Sequence, residues 1–156
     1  MTGHLVLTSL HADTAAGAIA RLTDMGVTPG MLANSLNCIV AQRLARKLCT
    51  HCRRPAKADA REFGSLVARG KKTVAVYEPG GCPKCDETGF NGRIALHEVT
   101  PVQGEIRGLV ESSTDEIFSA AVRQGMVSLR LDGLRLCLEG VSSMGEIARI
   151  TGNRLV

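Results

Sequence analysis

Tryptophan is absent from this 156-residue chain, tyrosine occurs once (Tyr77) and phenylalanine three times (Phe63, Phe90, Phe118). A core of this composition must be built from Leu, Val, Ile, Met and Ala, and few rings remain on which nucleic-acid bases could stack. Long apolar runs are missing too. No stretch approaches the roughly 20 residues that cross a bilayer as a helix, and no charged-then-apolar leader precedes a cleavage site. The sequence is therefore read as cytoplasmic, with no direct membrane insertion. A large charge excess is also lacking. The formal net charge is +4, which suits weak attraction to phosphates or an acidic partner and does not by itself imply nucleic-acid binding. What is present is a 44% hydrophobic, 22% charged composition, that of a globular chain long enough for one ordinary domain or two small modules sharing one core.

The chain opens with TGHLVLTSLHADT, in which Leu5–Leu10 reads as a short strand. His4 and His11 stand at its ends, with Thr8 and Ser9 between them. A strand beginning this early has no preceding element to pair with, so the sequence is read as a fragment of a longer polypeptide. An edge strand held at the N-terminus is the alternative.

Asp13 or Thr14 is placed to cap a helix with Ile19, Leu22 and Met25 on one face, ended by Gly26. Thr28-Pro29 is a second helix start, with Pro at a position where its missing N–H costs nothing. The spacing predicts that this helix runs to about Lys47. Leu32, Leu36, Ile39, Val40 and Leu44 form its apolar stripe, and Arg43, Arg46 and Lys47 fill its last turns. From Cys49 to about Gly92 the character changes, with four of the six cysteines and three of the five prolines. A short helix between Arg61 and Gly70 and strands at Thr73–Tyr77 and Gly92–Thr100 are expected there and just beyond. The tail reads as helical: Ser113 with Glu116 forms a capping-box pattern, Ser128 caps a helix stopped by Gly140, and Ser143 with Glu146 forms a second box. No internal repeat or low-complexity tract occurs.

CTHC (Cys49–Cys52) and GCPKC (ending Cys82–Cys85) carry the strongest chemical signal. Two residues between cysteines let both thiolates face one ion from a tight turn, and two such knuckles give the closed four-thiolate geometry of structural zinc. Iron suits four thiolates as well, and disulfides or inert thiols are the readings without a metal. A reducing compartment favours the metal over disulfides. The 29 residues between the pairs exceed the usual ribbon spacing, so a small folded piece is expected between them. His51 inside the first knuckle is read as solvent-facing, since a fifth ligand would break the tetrahedron. Cys38 and Cys137 are read as core residues on helical apolar faces.

The opening strand, AQRLARKLC, the paired knuckles, TGFNGRIALHEV and QGMVSLRLDGLRLCLEGVSSMGEIARIT follow one another in an order that resembles the C-terminal part of the ATPases powering type II secretion and type IV pilus assembly. The likeness covers nearly the whole chain. It implies an α/β fold: residues 1–48 as the C-terminal part of a RecA-like P-loop core with a histidine box, 49–92 as a tetracysteine zinc module, and 93–156 as a C-terminal strand and helical subdomain. It also implies that His4 and His11 sense the nucleotide's terminal phosphate, with Thr8 and Ser9 in support. A histidine suits that work because its ring donates and its charge adjusts near neutral pH. On an alternating strand the two histidines face opposite sides, and His11, at the strand's end, is the favoured contact. Read without the likeness, a strand histidine is a structural residue.

No G-x-x-x-x-G-K-[ST] occurs, and neither does an acidic Walker B strand. The nearest piece, RGKKT (Arg69–Thr73), lacks the first glycine. That loop supplies the phosphate cradle and a magnesium-binding hydroxyl in P-loop enzymes. The chain alone is therefore expected to hydrolyse nothing, while ATP and Mg2+ belong to the full-length protein. Arg43 and Arg93 are nucleotide-side or inter-domain candidates, or else a solvated element end and a surface salt bridge. Arg46, Lys47, Arg53 and Arg54 are read as a basic surface for an acidic protein. The likeness further implies a homo-hexamer, an inner-membrane platform or secretion-apparatus partner, and a peripheral place at the inner membrane. The competing reading is a zinc-ribbon nucleic-acid-binding or scaffold module without nucleotide chemistry.

Overall fold

The computed structural model describes residues 3–152. In chain order the elements are α1 (Ala15–Asp24), α2 (Pro29–Ser35), β1 (Cys38–Leu48), β2 (Arg54–Asp59), β3 (Thr73–Glu78), β4 (Phe90–Pro101), α3 (Glu105–Gly108), α4 (Thr114–Arg123), α5 (Leu129–Leu138) and α6 (Met144–Thr151). Short 3₁₀ turns occupy Ala60–Leu66 and Pro83–Cys85. Helix and strand are mixed, compatible with the α/β expectation. β1 pairs with β4 and β2 with β3, each as a two-stranded sheet. The chain divides into two compact units, one running to Ala41 and including Val99–Met126, the other holding Gln42–Glu98 and the chain from Val127.

In the first unit the Thr14 hydroxyl accepts the Gly17 amide at 3.0 Å and so starts α1. α1 and α4 pack around Ile19, Leu32, Val102, Ile106, Ile117 and Ala120, all nearly or fully buried. At the head of α4 the Ser113 hydroxyl accepts the Glu116 amide, and the Glu116 carboxylate accepts the Ser113 amide at 3.0 Å. The expected capping box is therefore present.

Two expectations fail here. The helix that starts at Pro29 ends at Ser35, and residues 38–48 form β1. Of the three apolar residues that fit a helical stripe here, Ile39, Val40 and Leu44, the strand turns only Ile39 inward. Ile39, Ala41, Arg43 and Ala45 are turned inward, while Val40, Gln42, Leu44 and Arg46 are exposed. The Asn34 side chain donates to the Gly30 carbonyl and the Ser35 hydroxyl to the Met31 carbonyl, local bonds that suit a helix end, and pairing with β4 decides the rest. Cys38, at the start of β1, is accordingly exposed rather than in the core. Leu5–Leu10 belongs to no strand, and Leu5, Val6 and Leu7 are 79%, 75% and 87% exposed. A strand exists only through a ladder partner, and no strand among the described residues pairs with it.

The second unit contains β2, an element not foreseen from RPAKAD, with its proline and lysine. It runs antiparallel to β3, Arg54 opposite Glu78 and Asp59 opposite Thr73. Val74 and Val76 point inward from β3, and Phe63 between the two strands is fully buried. α5 begins at the Ser128 cap, as expected, and buries Leu134, Leu136 and Cys137. α6 packs against it so closely that a Cβ on Gly133 would lie 2.7 Å from Ile147 Cγ2.

Candidate metal centre

β1 delivers the first knuckle. The Leu48 amide donates to the Val141 carbonyl at 2.8 Å and the Cys49 amide to the Gly89 carbonyl at 2.9 Å. The chain then turns tightly, with the Cys52 and Arg53 amides both donating to the Cys49 carbonyl. The second knuckle is the 3₁₀ turn Pro83–Cys85, where the Cys85 amide donates to the Cys82 carbonyl at 3.0 Å. The knuckles approach each other across backbone that carries no side chain: a Cβ on Gly80 would fall 2.1 Å from the Cys52 carbonyl oxygen. Glycine is required there.

The four sulfurs all lie within 4.8 Å of one another. Cys49 to Cys82 is 3.9 Å, Cys52 to Cys85 3.7 Å and Cys82 to Cys85 3.7 Å. A tetrahedron with zinc–sulfur bonds of about 2.3 Å has edges of about 3.8 Å, so the spacing fits a tetrahedral ion. None of the cysteines is in a disulfide. Burial and the neighbouring thiols push Cys52 up to about 12. Burial also raises Cys85, but backbone hydrogen bonds at Cys82 and Gly89 outweigh it and bring that thiol down to about 7. Four thiols this close cannot all ionise without a central cation, which is the condition a four-thiolate site meets by binding one. With four protein ligands the site is closed, so it suits a structural metal rather than a catalytic one.

Around the knuckles lie contacts that sequence reasoning missed. Glu146, whose side chain is fully buried, receives the Arg46 amide at 3.0 Å and Nη2 at 2.8 Å, and Arg149 through Nε at 3.0 Å and Nη2 at 2.8 Å. Ser143 caps α6 through the Glu146 amide as expected, while the Glu146 carboxylate turns to the two arginines. Those hydrogen bonds, Arg149's foremost, hold it at about 2 against the opposing effect of burial. The Arg46 guanidinium also lies 4.0 Å over the Phe90 ring. Arg53 stacks 4.5 Å over Tyr77 and donates to the Gly140 carbonyl. Arg46 and Arg53 are thus engaged within the chain, which narrows the expected basic surface; Lys47 and Arg54 are exposed. No sequence pattern marks the Arg46–Glu146 and Arg53–Gly140 contacts, because those partners stand 100 and 87 residues apart.

The four cysteines are the predicted site residues that the structure brings together. His4, Thr8, Ser9 and His11 are exposed along the segment before α1. Arg43 is half-buried on β1, its Nη1 3.4 Å from the Gln42 carbonyl, and Arg93 is exposed on β4. His51 is exposed as expected, with Nδ1 3.4 Å from Lys84 Nζ. Among the described residues no helix is long and apolar enough to cross a membrane.

A family model described as type II/IV secretion system protein matches residues 1–149. The chain is 38% identical over 152 residues to the type II secretion system ATPase E of Vibrio cholerae, covering 97% of this chain and 30% of that protein. It is 40% identical over 154 residues to the type IV pilus assembly ATPase PilB of Myxococcus xanthus, covering 94% and 27%. It is 42% identical over 153 residues to the type II secretion system protein HxcR of Pseudomonas aeruginosa, covering 97% and 29%. The chain thus spans under a third of the length of these relatives.

Proposed function

Because the chain belongs to the type II/IV secretion system protein family, we propose that it is the C-terminal part of a hexameric ATPase that powers type II secretion or type IV pilus assembly. The family match over residues 1–149 carries this reading. Relatives named as ATPases of both machines support it. In this reading residues 1–48 complete a RecA-like core, and the run Leu5–Leu10, exposed as far as Ser9, takes its place as a strand in a sheet supplied by other polypeptide. His11, with His4, Thr8 and Ser9, faces the terminal phosphate and distinguishes ATP from ADP. Arg43 and Arg93 lie on the nucleotide side. The phosphate cradle and magnesium-binding hydroxyl come from polypeptide bearing the P-loop that this sequence lacks.

Cys49, Cys52, Cys82 and Cys85 hold a zinc ion whose contribution is to neutralise four thiolates and lend its binding energy to the fold. These residues bind and orient; they move no proton in the reaction. The motor works at the cytoplasmic face of the inner membrane, in a ring of like subunits, through a platform or secretion-apparatus partner.

His11→Ala in a full-length protein tests the reading. Turnover at saturating ATP is expected to fall by at least tenfold, about 1.4 kcal/mol of transition-state stabilisation, with nucleotide affinity little changed. A loss of binding with turnover per bound nucleotide intact would remove the sensor role. Brisk ATP hydrolysis by the present chain, purified free of contaminants, would refute the division of labour itself.

A further inference from the structure

Gly140 ends α5 in the left-handed region, with φ of +70°, its amide donating to the Cys137 carbonyl at 3.0 Å. Its carbonyl receives the Arg53 guanidinium, and Arg53 directly follows Cys52. The same guanidinium lies over the ring of Tyr77 on β3. A Cβ at Gly140 would stand 2.8 Å from Tyr77 Cδ2 and 3.0 Å from Arg53 Nη1, so the clamp closes only on a residue without a side chain. The next residues of the turn hold the other end of the knuckle: the Val141 carbonyl takes the Leu48 amide, and the Ser142 hydroxyl donates to the Arg46 carbonyl at 3.0 Å. The first knuckle is therefore held on both flanks by one turn, while the second is held by its own backbone.

We infer that Arg53 and Gly140 are positioning residues for the metal: the turn after α5 sets how tightly Cys49, Cys52, Cys82 and Cys85 hold the ion, and the ion in turn steadies that turn. The inference rests on the reading of the four cysteines as a metal centre. Its basis is geometric. A tetrahedral site binds strongly only when both knuckles are held at one separation, and the free energy coupling two sites acts equally in both directions.

The experiment titrates the full chain with Zn2+ against a chelator of known affinity, and with Co2+ to read the thiolate-to-cobalt absorption. It compares three variants. Gly140→Ala drives a methyl group into the clamp. Arg53→Lys keeps the charge but loses the planar fork that both donates and stacks. Gly125→Ala is the control: it has the same left-handed backbone, φ +92°, with nothing within 4 Å of the added carbon.

Gly140→Ala and Arg53→Lys are expected to weaken Zn2+ binding about tenfold and to alter the cobalt spectrum. Gly125→Ala is expected to lower the melting temperature with zinc affinity unchanged. Reciprocally, Zn2+ should slow hydrogen exchange at the Leu48 amide, which bonds to Val141. Wild-type affinity in both clamp variants would overturn the inference while leaving the metal centre intact, and equal weakening in Gly125→Ala would overturn it as general destabilisation. If Gly140→Ala does not fold, Arg53→Lys decides. A wild-type chain that takes up no Zn2+ or Co2+ would instead fail the metal reading, and the inference with it.

Discussion

Glu146→Gln should destabilise the chain at neutral pH and much less in acid. The native carboxylate takes four hydrogen bonds from Arg46 and Arg149, two on each oxygen. An amide in the same place offers one oxygen and one NH2, so either orientation sets two N–H donors against two others. The carboxyl sits at about 2 in the folded chain against an ordinary 4.5, a difference of about 3 kcal/mol at neutral pH. The guanidinium partners are 48% and 60% exposed, and solvent screening reduces the figure to about 2 kcal/mol. For a chain of this size that is a fall in melting temperature of about 4–8 °C.

The sign follows from the direction. A depressed carboxyl stabilises the fold fully above its unfolded value and progressively less as pH falls towards its folded value. The difference between wild type and Glu146→Gln, measured by urea unfolding at a series of pH values, should therefore be full at pH 7. It should fall to about half at pH 3 and vanish near pH 2. Taking the difference at each pH cancels the acid-driven loss of metal common to both proteins. An undiminished gap at pH 3, or no gap at pH 7, would refute the reasoning.

Cys82→Ser should abolish stoichiometric zinc uptake and destabilise residues 49–92 in preference to α1 and α4, because structural zinc energy is folding energy; metal analysis with hydrogen exchange reads both, and unchanged metal content with unchanged protection would remove the claim. Gly133→Ala should destabilise by up to about 2 kcal/mol in urea unfolding. The added methyl must displace Ile147, which is fully buried, at about 1–3 kcal/mol, less about 1 kcal/mol returned by alanine's helix propensity. A stabilised variant would show that α6 can yield.

What the sequence disclosed was what short-range chemistry decides. Ser113, Ser128 and Ser143 each cap the helix they were expected to cap, because a hydroxyl three residues before a free amide needs no distant help. The cysteine spacing likewise anticipated a cluster, since each knuckle is a local turn and only their meeting is long-range. Residues 38–48 resisted reading because Ile39, Val40 and Leu44 fall on one helical face although the strand leaves Val40 and Leu44 exposed, and the arbiter is β4, about 50 residues onward. β2 was hidden for a similar reason: Lys57 and Pro55 give no strand signal, and pairing with β3 supplies the order. Glu146 shows a subtler limit. Its place in a capping box is correct at the backbone, yet the carboxylate serves Arg149 three residues on and Arg46 a hundred residues back. Local pattern names the amide bond and is silent about the charge.

The run Leu5-Val6-Leu7 also has a practical meaning. Three adjacent branched aliphatic side chains facing water, beside main-chain groups outside any ladder, invite any passing extended segment to dock alongside them. At working concentrations the purified molecule should self-associate through this stretch. Polar replacements there would keep preparations monodisperse.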